Sequence, residues 1–287
     1  VPTQPVRGAA YEPDDISGWA TLLAGGLQMR YRHYPGHAGH KGQAWVVFPG
    51  FGQRYQAWGP ALHLLQALGP CYWVEQPGHG ASAVPGGGAP ILPEKWAQWV
   101  QQLCAQENIE RPYLLGYSLG GRLALASALA LNTRVQRLVL CAAEGTGPSF
   151  WYSLATGSGV GRFLLQTLVN NPAWLSAATR LLVGTGILQK SMARFATSQL
   201  KTQAARKLVA DSWLALRLLP GPVEKATSAL VKTKTPVTVY AGQYDRVVPV
   251  ARLHAFAGRV PGTQVHIVPV GHNALPVHVC AVLAKES

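Results

Sequence analysis

The chain has 287 residues, of which 48% are apolar and only 13% charged, with a formal net charge of +13. That apolar content supplies a large core and argues against disorder, while the charged fraction falls well under the roughly 25% usual for soluble domains. The length fits one large α/β domain carrying an insertion.

Residues 1–20 read as an irregular arm, with Pro2, Pro5 and Pro13 and no apolar stretch of the signal-peptide kind. The chain starts at Val1 rather than Met, so residues were removed from it or left out ahead of it. Strands are expected at Gln28–Tyr34, Ala44–Phe48 and Cys71–Glu75, the last two ending at Pro49-Gly50 and Gln76-Pro77-Gly78. Pro93–Asn108 reads as a helix with Trp96, Trp99, Val100 and Leu103 on one face. A strand at Arg111–Leu115, a helix at Gly120–Leu131 and a strand at Val135–Ala142 follow. Later come strands at Pro236–Ala241 and Gln264–Val268, and helices at Val250–Ala257 and Ala274–Ala284. This alternation predicts an α/β fold with a mostly parallel sheet flanked by helices.

Residues 146–234 break the rhythm with helical patterns and no convincing strand. About 90 residues of helix between two sheet strands read as an inserted cap or lid. The core is then 1–145 with 235–287. The insertion holds eleven Lys and Arg against Asp211 and Glu224. Such a lobe either attracts an anionic substrate or surface, or simply keeps an apolar lobe soluble.

No nucleic-acid motif and no dense Lys/Arg run is present, so a nucleic-acid partner is not expected. No apolar run reaches the ~18 residues of a membrane span; the longest are Phe163–Val169 and Leu181–Leu188. Cys71, Cys104, Cys141 and Cys280 lack C-x-x-C spacing and read as reduced core residues. The expected location is cytoplasmic, with secretion after signal cleavage as the alternative.

Gly116-Tyr117-Ser118-Leu119-Gly120-Gly121 matches G-x-S-x-G, follows a predicted strand and opens a predicted helix. A nucleophile elbow needs that tight strand-to-helix turn. Glycine flanks allow close approach of neighbouring chain, and the helix N-terminus favours negative charge beside Ser118. A serine hydroxyl needs a base. His272, in Val270-Gly271-His272-Asn273 after the last strand, is the best of nine histidines. The base needs an acid to fix its tautomer. Asp245, just past the strand at 236–241, is the choice; Glu144, just past the previous strand, is the rival. The chain order Ser118, Asp245, His272 is that of the α/β serine hydrolases, and all three lie at carboxyl ends of strands, where open α/β sheets bind ligands. Backbone N–H groups of Leu119 and of Phe51, in Pro49-Gly50-Phe51-Gly52, are the candidate oxyanion donors.

With Gln76-Pro77-Gly78-His79-Gly80-Ala81-Ser82 added, these motifs make residues 27–284 resemble the α/β-hydrolase fold superfamily, in its capped, esterase-like branch. The resemblance implies an eight-stranded sheet, a Ser118–Asp245–His272 triad and a helical cap over the pocket. It makes the segment holding His79 a structural turn beside the pocket. Two departures exist: Pro49 stands where members usually have His, and Glu75-Gln76 where they often have Asp. Neither removes a backbone donor.

The expected activity is hydrolysis of a carboxylic ester of a small-to-medium apolar substrate through an acyl-enzyme on Ser118, with no cofactor or metal needed. The alternatives are a C–C bond hydrolase or lyase on an anionic substrate, and a thioesterase or acyltransferase. A hydrolase-fold ligand receptor is the non-enzyme alternative.

Overall fold

The structure is a computed structural model and describes residues 18–37, 42–186, 200 and 202–286. Most of the arm read at the N-terminus lies outside the described residues. From Trp19 onward the chain is already in the sheet: β1 (Trp19–Ala24) pairs antiparallel with β2 (Leu27–Tyr34). The signal was Gly25-Gly26 between two apolar runs. Both glycines have positive φ, +58° and +72°, the conformation a two-residue hairpin turn demands.

β3 (Trp45–Phe48), β4 (Cys71–Val74), β5 (Tyr113–Tyr117), β6 (Arg137–Cys141), β7 (Val237–Gly242) and β8 (Gln264–Val268) complete one eight-stranded sheet in the order β1-β2-β4-β3-β5-β6-β7-β8. β2 meets β4 antiparallel, and every pairing from β4 onward is parallel. Every residue of β3, β4 and β7 is buried. Successive strand residues point to opposite faces, so both faces are covered there, which explains why β3 and β4 read as unbroken apolar runs; in β7 the run is interrupted by the buried Thr238.

α1 (Tyr55–Gln66) follows β3 and packs against the closing helix α10 (Leu275–Leu283), while α9 (Val250–Ala257) lies between β7 and β8. α2 (Pro93–Gln106) packs against α3 (Gly120–Leu131). The α2 face read from the sequence is the buried one: Trp96, Trp99, Val100 and Leu103 have no exposed surface. All four cysteines are free and buried, and burial pushes the Cys104 thiol up to about 11. Among the described residues no helix is long and apolar enough to cross a membrane.

Between β6 and β7 run α4 (Phe150–Thr156), α5 (Gly159–Asn170), α6 (Pro172–Gly184), α7 (Gln203–Leu216) and α8 (Val223–Thr233). α5 contacts α4, α6 and α7, while α8 packs back against α3. Several of the insertion's cations have local work. Arg162 donates to the Thr156 carbonyl at the end of α4 (3.0 Å). The buried Arg206 donates to the Val169 carbonyl near the end of α5 (2.9 Å) and to Leu200 O (3.2 Å). Arg217 donates to Gly88 O (2.6 Å) and Leu214 O (2.5 Å). Helix C-termini leave carbonyls without intrahelical donors and carry partial negative charge, so arginine there answers both needs. β6 leads into the insertion and β7 resumes the sheet after it, so the insertion emerges from the carboxyl edge of the parallel strands.

Candidate active site

β5 ends at Tyr117 and α3 begins at Gly120, leaving two residues to reverse the chain. Ser118 has φ +50°, a left-handed conformation uncommon for a residue with a side chain. Three backbone bonds fix it: Ser118 N–H donates to Cys141 O (3.0 Å), and Ser118 O accepts from Gly121 N–H (2.9 Å) and Glu144 N–H (2.8 Å). A Cβ on Gly120 would sit 2.1 Å from Phe48 O. Only glycine there lets the helix start seat against the end of β3.

His272 lies in the turn after β8, with its main-chain carbonyl accepting from the Tyr117 hydroxyl at 3.1 Å. Burial, with the Asp245 charge second, raises the Tyr117 pKa, so this hydroxyl stays a neutral donor. His272 Nε2 lies 3.1 Å from Ser118 Oγ, and Nδ1 lies 2.6 Å from Asp245 Oδ2. The Asp245 side chain is fully buried. Its other oxygen, Oδ1, accepts from Val247 N–H (2.7 Å) and Val248 N–H (3.0 Å). The carboxylate is therefore pinned with Oδ2 aimed at the imidazole. That makes Nδ1 the protonated nitrogen and leaves Nε2 as acceptor for the Ser118 hydroxyl.

Glu144, the rival acid, points elsewhere. Its Oε1 lies 3.0 Å from Arg252 Nη1, and its Oε2 lies 3.8 Å from Arg122 Nη2.

The turn after β3 comes close to the elbow. A Cβ on Gly50 would sit 2.8 Å from the Tyr117 ring and 3.3 Å from Ser118 Cβ. Phe51 N–H and Leu119 N–H have no acceptor among the described residues, which is the condition a donor must meet to receive a developing oxyanion. The neighbouring polar groups of the turn are taken. Gly50 N–H donates to Gln53 Oε1 (3.1 Å), Gly52 N–H donates to His79 Nε2 (2.9 Å), and Gln76 Nε2 donates to Pro49 O. The Gln76, Gln53 and His79 contacts were not legible in advance. The Pro-Gly-His-Gly segment stands out in the sequence, but nothing local links it to residues 27 positions earlier. Among the described residues no group of three or more His, Cys, Asp or Glu is placed to hold a metal ion.

A model of the alpha/beta hydrolase family matches residues 45–285. The biotin biosynthesis bifunctional protein BioHC of Cellvibrio japonicus is 29% identical over 232 residues, 80% of this chain but 44% of that protein, so the chain spans less than half of this relative. A 2-hydroxy-6-oxononadienedioate/2-hydroxy-6-oxononatrienedioate hydrolase of Paraburkholderia phymatum is 26% identical over 258 residues, 88% of this chain and 87% of that protein. The solved structure of a thermophilic esterase from Thermogutta terrifontis shares the fold, with a TM-score of 0.65 at 18% identity over 93% of this chain and 96% of the esterase. With the strand order, the elbow and a match running over most of its length, this chain belongs to the α/β-hydrolase family.

Proposed function

We propose that the protein is a serine hydrolase that cleaves carboxylic esters of small-to-medium apolar substrates, with residues 146–234 as the cap over its pocket. The observation that carries this is the relay Ser118 Oγ–His272–Asp245 at 3.1 and 2.6 Å.

His272 Nε2 takes the Ser118 proton as Oγ attacks the ester carbonyl carbon. The carbonyl oxygen becomes an oxyanion held by the free N–H groups of Phe51 and Leu119. The imidazolium is stabilised by Asp245 and then protonates the departing alkoxide, leaving an acyl-serine and an alcohol. Water enters, loses its proton to His272 and attacks the acyl carbon. Collapse of the second oxyanion releases the acid and returns the proton to Ser118. No other group has to supply an electron or proton.

An apolar ester ranks above an anionic substrate because Arg162, Arg206 and Arg217 are already engaged by helix-end and loop carbonyls. C–C bond hydrolysis is the second reading, supported by the Paraburkholderia relative, whose named substrate is a hydroxy-oxo dicarboxylate. The four buried free thiols suit a reducing compartment, and we place the protein in the cytoplasm.

The test is hydrolysis of p-nitrophenyl esters from acetate to long chains by wild type and Ser118→Ala. Wild-type turnover, with loss of up to about 10⁶ in the variant, is expected from removal of a nucleophile in such a triad. If wild type is inactive on every ester while a fluorophosphonate still labels Ser118, ester hydrolysis is refuted and the C–C reading replaces it.

A further inference from the structure

We propose that His79 is a positioning residue for the oxyanion site: its neutral imidazole aims Phe51 N–H by holding the next peptide of the turn. This rests on the serine-hydrolase reading above and adds a residue to it.

Each N–H shares a rigid plane with the preceding carbonyl. The Pro49–Gly50 plane is held at both ends, its carbonyl by Gln76 Nε2 and its N–H by Gln53 Oε1 at 3.1 Å. Gln53 is itself fixed by the indole N–H of Trp58 (2.5 Å). The Phe51–Gly52 plane is held through Gly52 N–H, which donates to His79 Nε2 at 2.9 Å. Between these lies the Gly50–Phe51 plane, which carries the one N–H of the turn left for a substrate. Its carbonyl accepts only a long bond from Gln53 N–H (3.3 Å). Glycines at 50 and 52, the latter with φ +69°, give this stretch more rotational freedom than other residues would. The direction of Phe51 N–H is therefore set by the pins on either side, and His79 supplies the downstream one.

His79 suits the task because it is itself immobilised. It is buried at 8% exposure. Its Nδ1 donates to Pro77 O (3.2 Å), which leaves Nε2 as the acceptor. Its ring stands edge-on to the Phe51 ring, with centroids 5.3 Å apart. The turn that carries it is tied down by Glu75, whose carboxylate accepts from Ala81 N–H (2.8 Å), Ser82 N–H (3.2 Å) and Arg30.

His79→Phe keeps a ring against Phe51 and removes the acceptor. His79→Gln restores an acceptor oxygen the same number of bonds from Cβ. Rates are expressed per site titrated to completion with a fluorophosphonate, so that misfolded protein is not counted. Losing an oxyanion donor costs about 10²–10³ in kcat, and losing its aim is expected to cost His79→Phe about tenfold or more with KM within about threefold. Affinity for phenylboronic acid, which fills the oxyanion site as a tetrahedral adduct, should fall in parallel, and His79→Gln should recover most of both. The proposal is overturned if His79→Phe keeps kcat within about twofold, if the loss lies in KM alone, or if His79→Gln is as impaired as His79→Phe. Failure of wild type to be labelled at Ser118 would instead refute the hydrolase reading, and this proposal with it.

Discussion

Replacing Asp245 by Asn tests the relay with almost no change in shape. In the native site Oδ1 accepts from Val247 and Val248 N–H, while Oδ2 faces His272 Nδ1. An asparagine has one oxygen and one NH₂, so it must choose. With its oxygen on the two backbone donors, its NH₂ faces Nδ1 and donates to it. The histidine proton then moves to Nε2, which points at Ser118 and can no longer accept the hydroxyl proton. With the amide flipped, NH₂ meets two N–H groups in a fully buried position, and each unsatisfied buried donor costs about 1–3 kcal/mol. The first arrangement saves a pair of such penalties, so the wrong tautomer is built in. A change of this kind costs about 10⁴ in kcat where the triad geometry is otherwise preserved. The assay is kcat on the best p-nitrophenyl ester, with near-ultraviolet circular dichroism to confirm the fold. A folded Asp245→Asn enzyme within tenfold of wild type would refute the tautomer argument and reopen the choice of acid.

Glu144→Gln should separate that rival from the relay. It weakens the Arg252 pair, which is between the exposed and fully buried cases, so a loss of about 1–3 kcal/mol in urea unfolding is expected, with kcat within a few-fold of wild type. A collapse of kcat in a folded variant would show that Glu144 acts on the reaction. Arg206→Met should leave the carbonyls of Val169 and Leu200 without their donor, a cost of about 1–3 kcal/mol; limited proteolysis should then cut the 146–234 segment first, and unchanged cleavage would show that the arginine does not hold these helices. Burial lowers the His79 pKa, with the Pro77 carbonyl and the Glu75 charge opposing. A histidine with a depressed native pKa binds fewer protons folded than unfolded, so stability is fully present above the unfolded value of 6.5 and declines as pH falls below it, until the native group also protonates. Urea unfolding from pH 7.5 down to 5 should show a shallower decline in His79→Gln than in wild type; equal slopes would show that His79 does not set it.

Local constraints were the legible ones. The elbow appears in the sequence because a left-handed residue between a strand and a helix needs glycines at fixed offsets, and those offsets survive in Gly116–Gly121. Strands β3 and β4 were visible because a strand covered on both faces is written as an apolar run, and β7 because β-branched residues alternate along it. The α2 face was visible because Trp96, Trp99, Val100 and Leu103 repeat at the helical period. β1 was written just as locally, in the Gly25-Gly26 hairpin.

What the sequence by itself determined was therefore the fold class and a short list of polar side chains at the carboxyl edge of the sheet. The tertiary structure shows which partner each of them meets. Asp245 and Glu144 occupy equivalent places just past neighbouring strands, and the sequence reading puts Asp245 first with Glu144 as its rival. They differ because Glu144 meets Arg252 and Arg122 while Asp245 meets His272. The clamp on the Pro49–Gln53 turn likewise joins the end of β3 to the loop after β4, so Gln76 and His79 acquire partners only when the sheet sets those two strand ends side by side. The insertion's charge, conspicuous as a count, resolves partly into arginines that close helix ends. Sequence periodicity records which face of an element is buried. Partnership between side chains depends on where separate elements end in space, and that is fixed only when the sheet assembles.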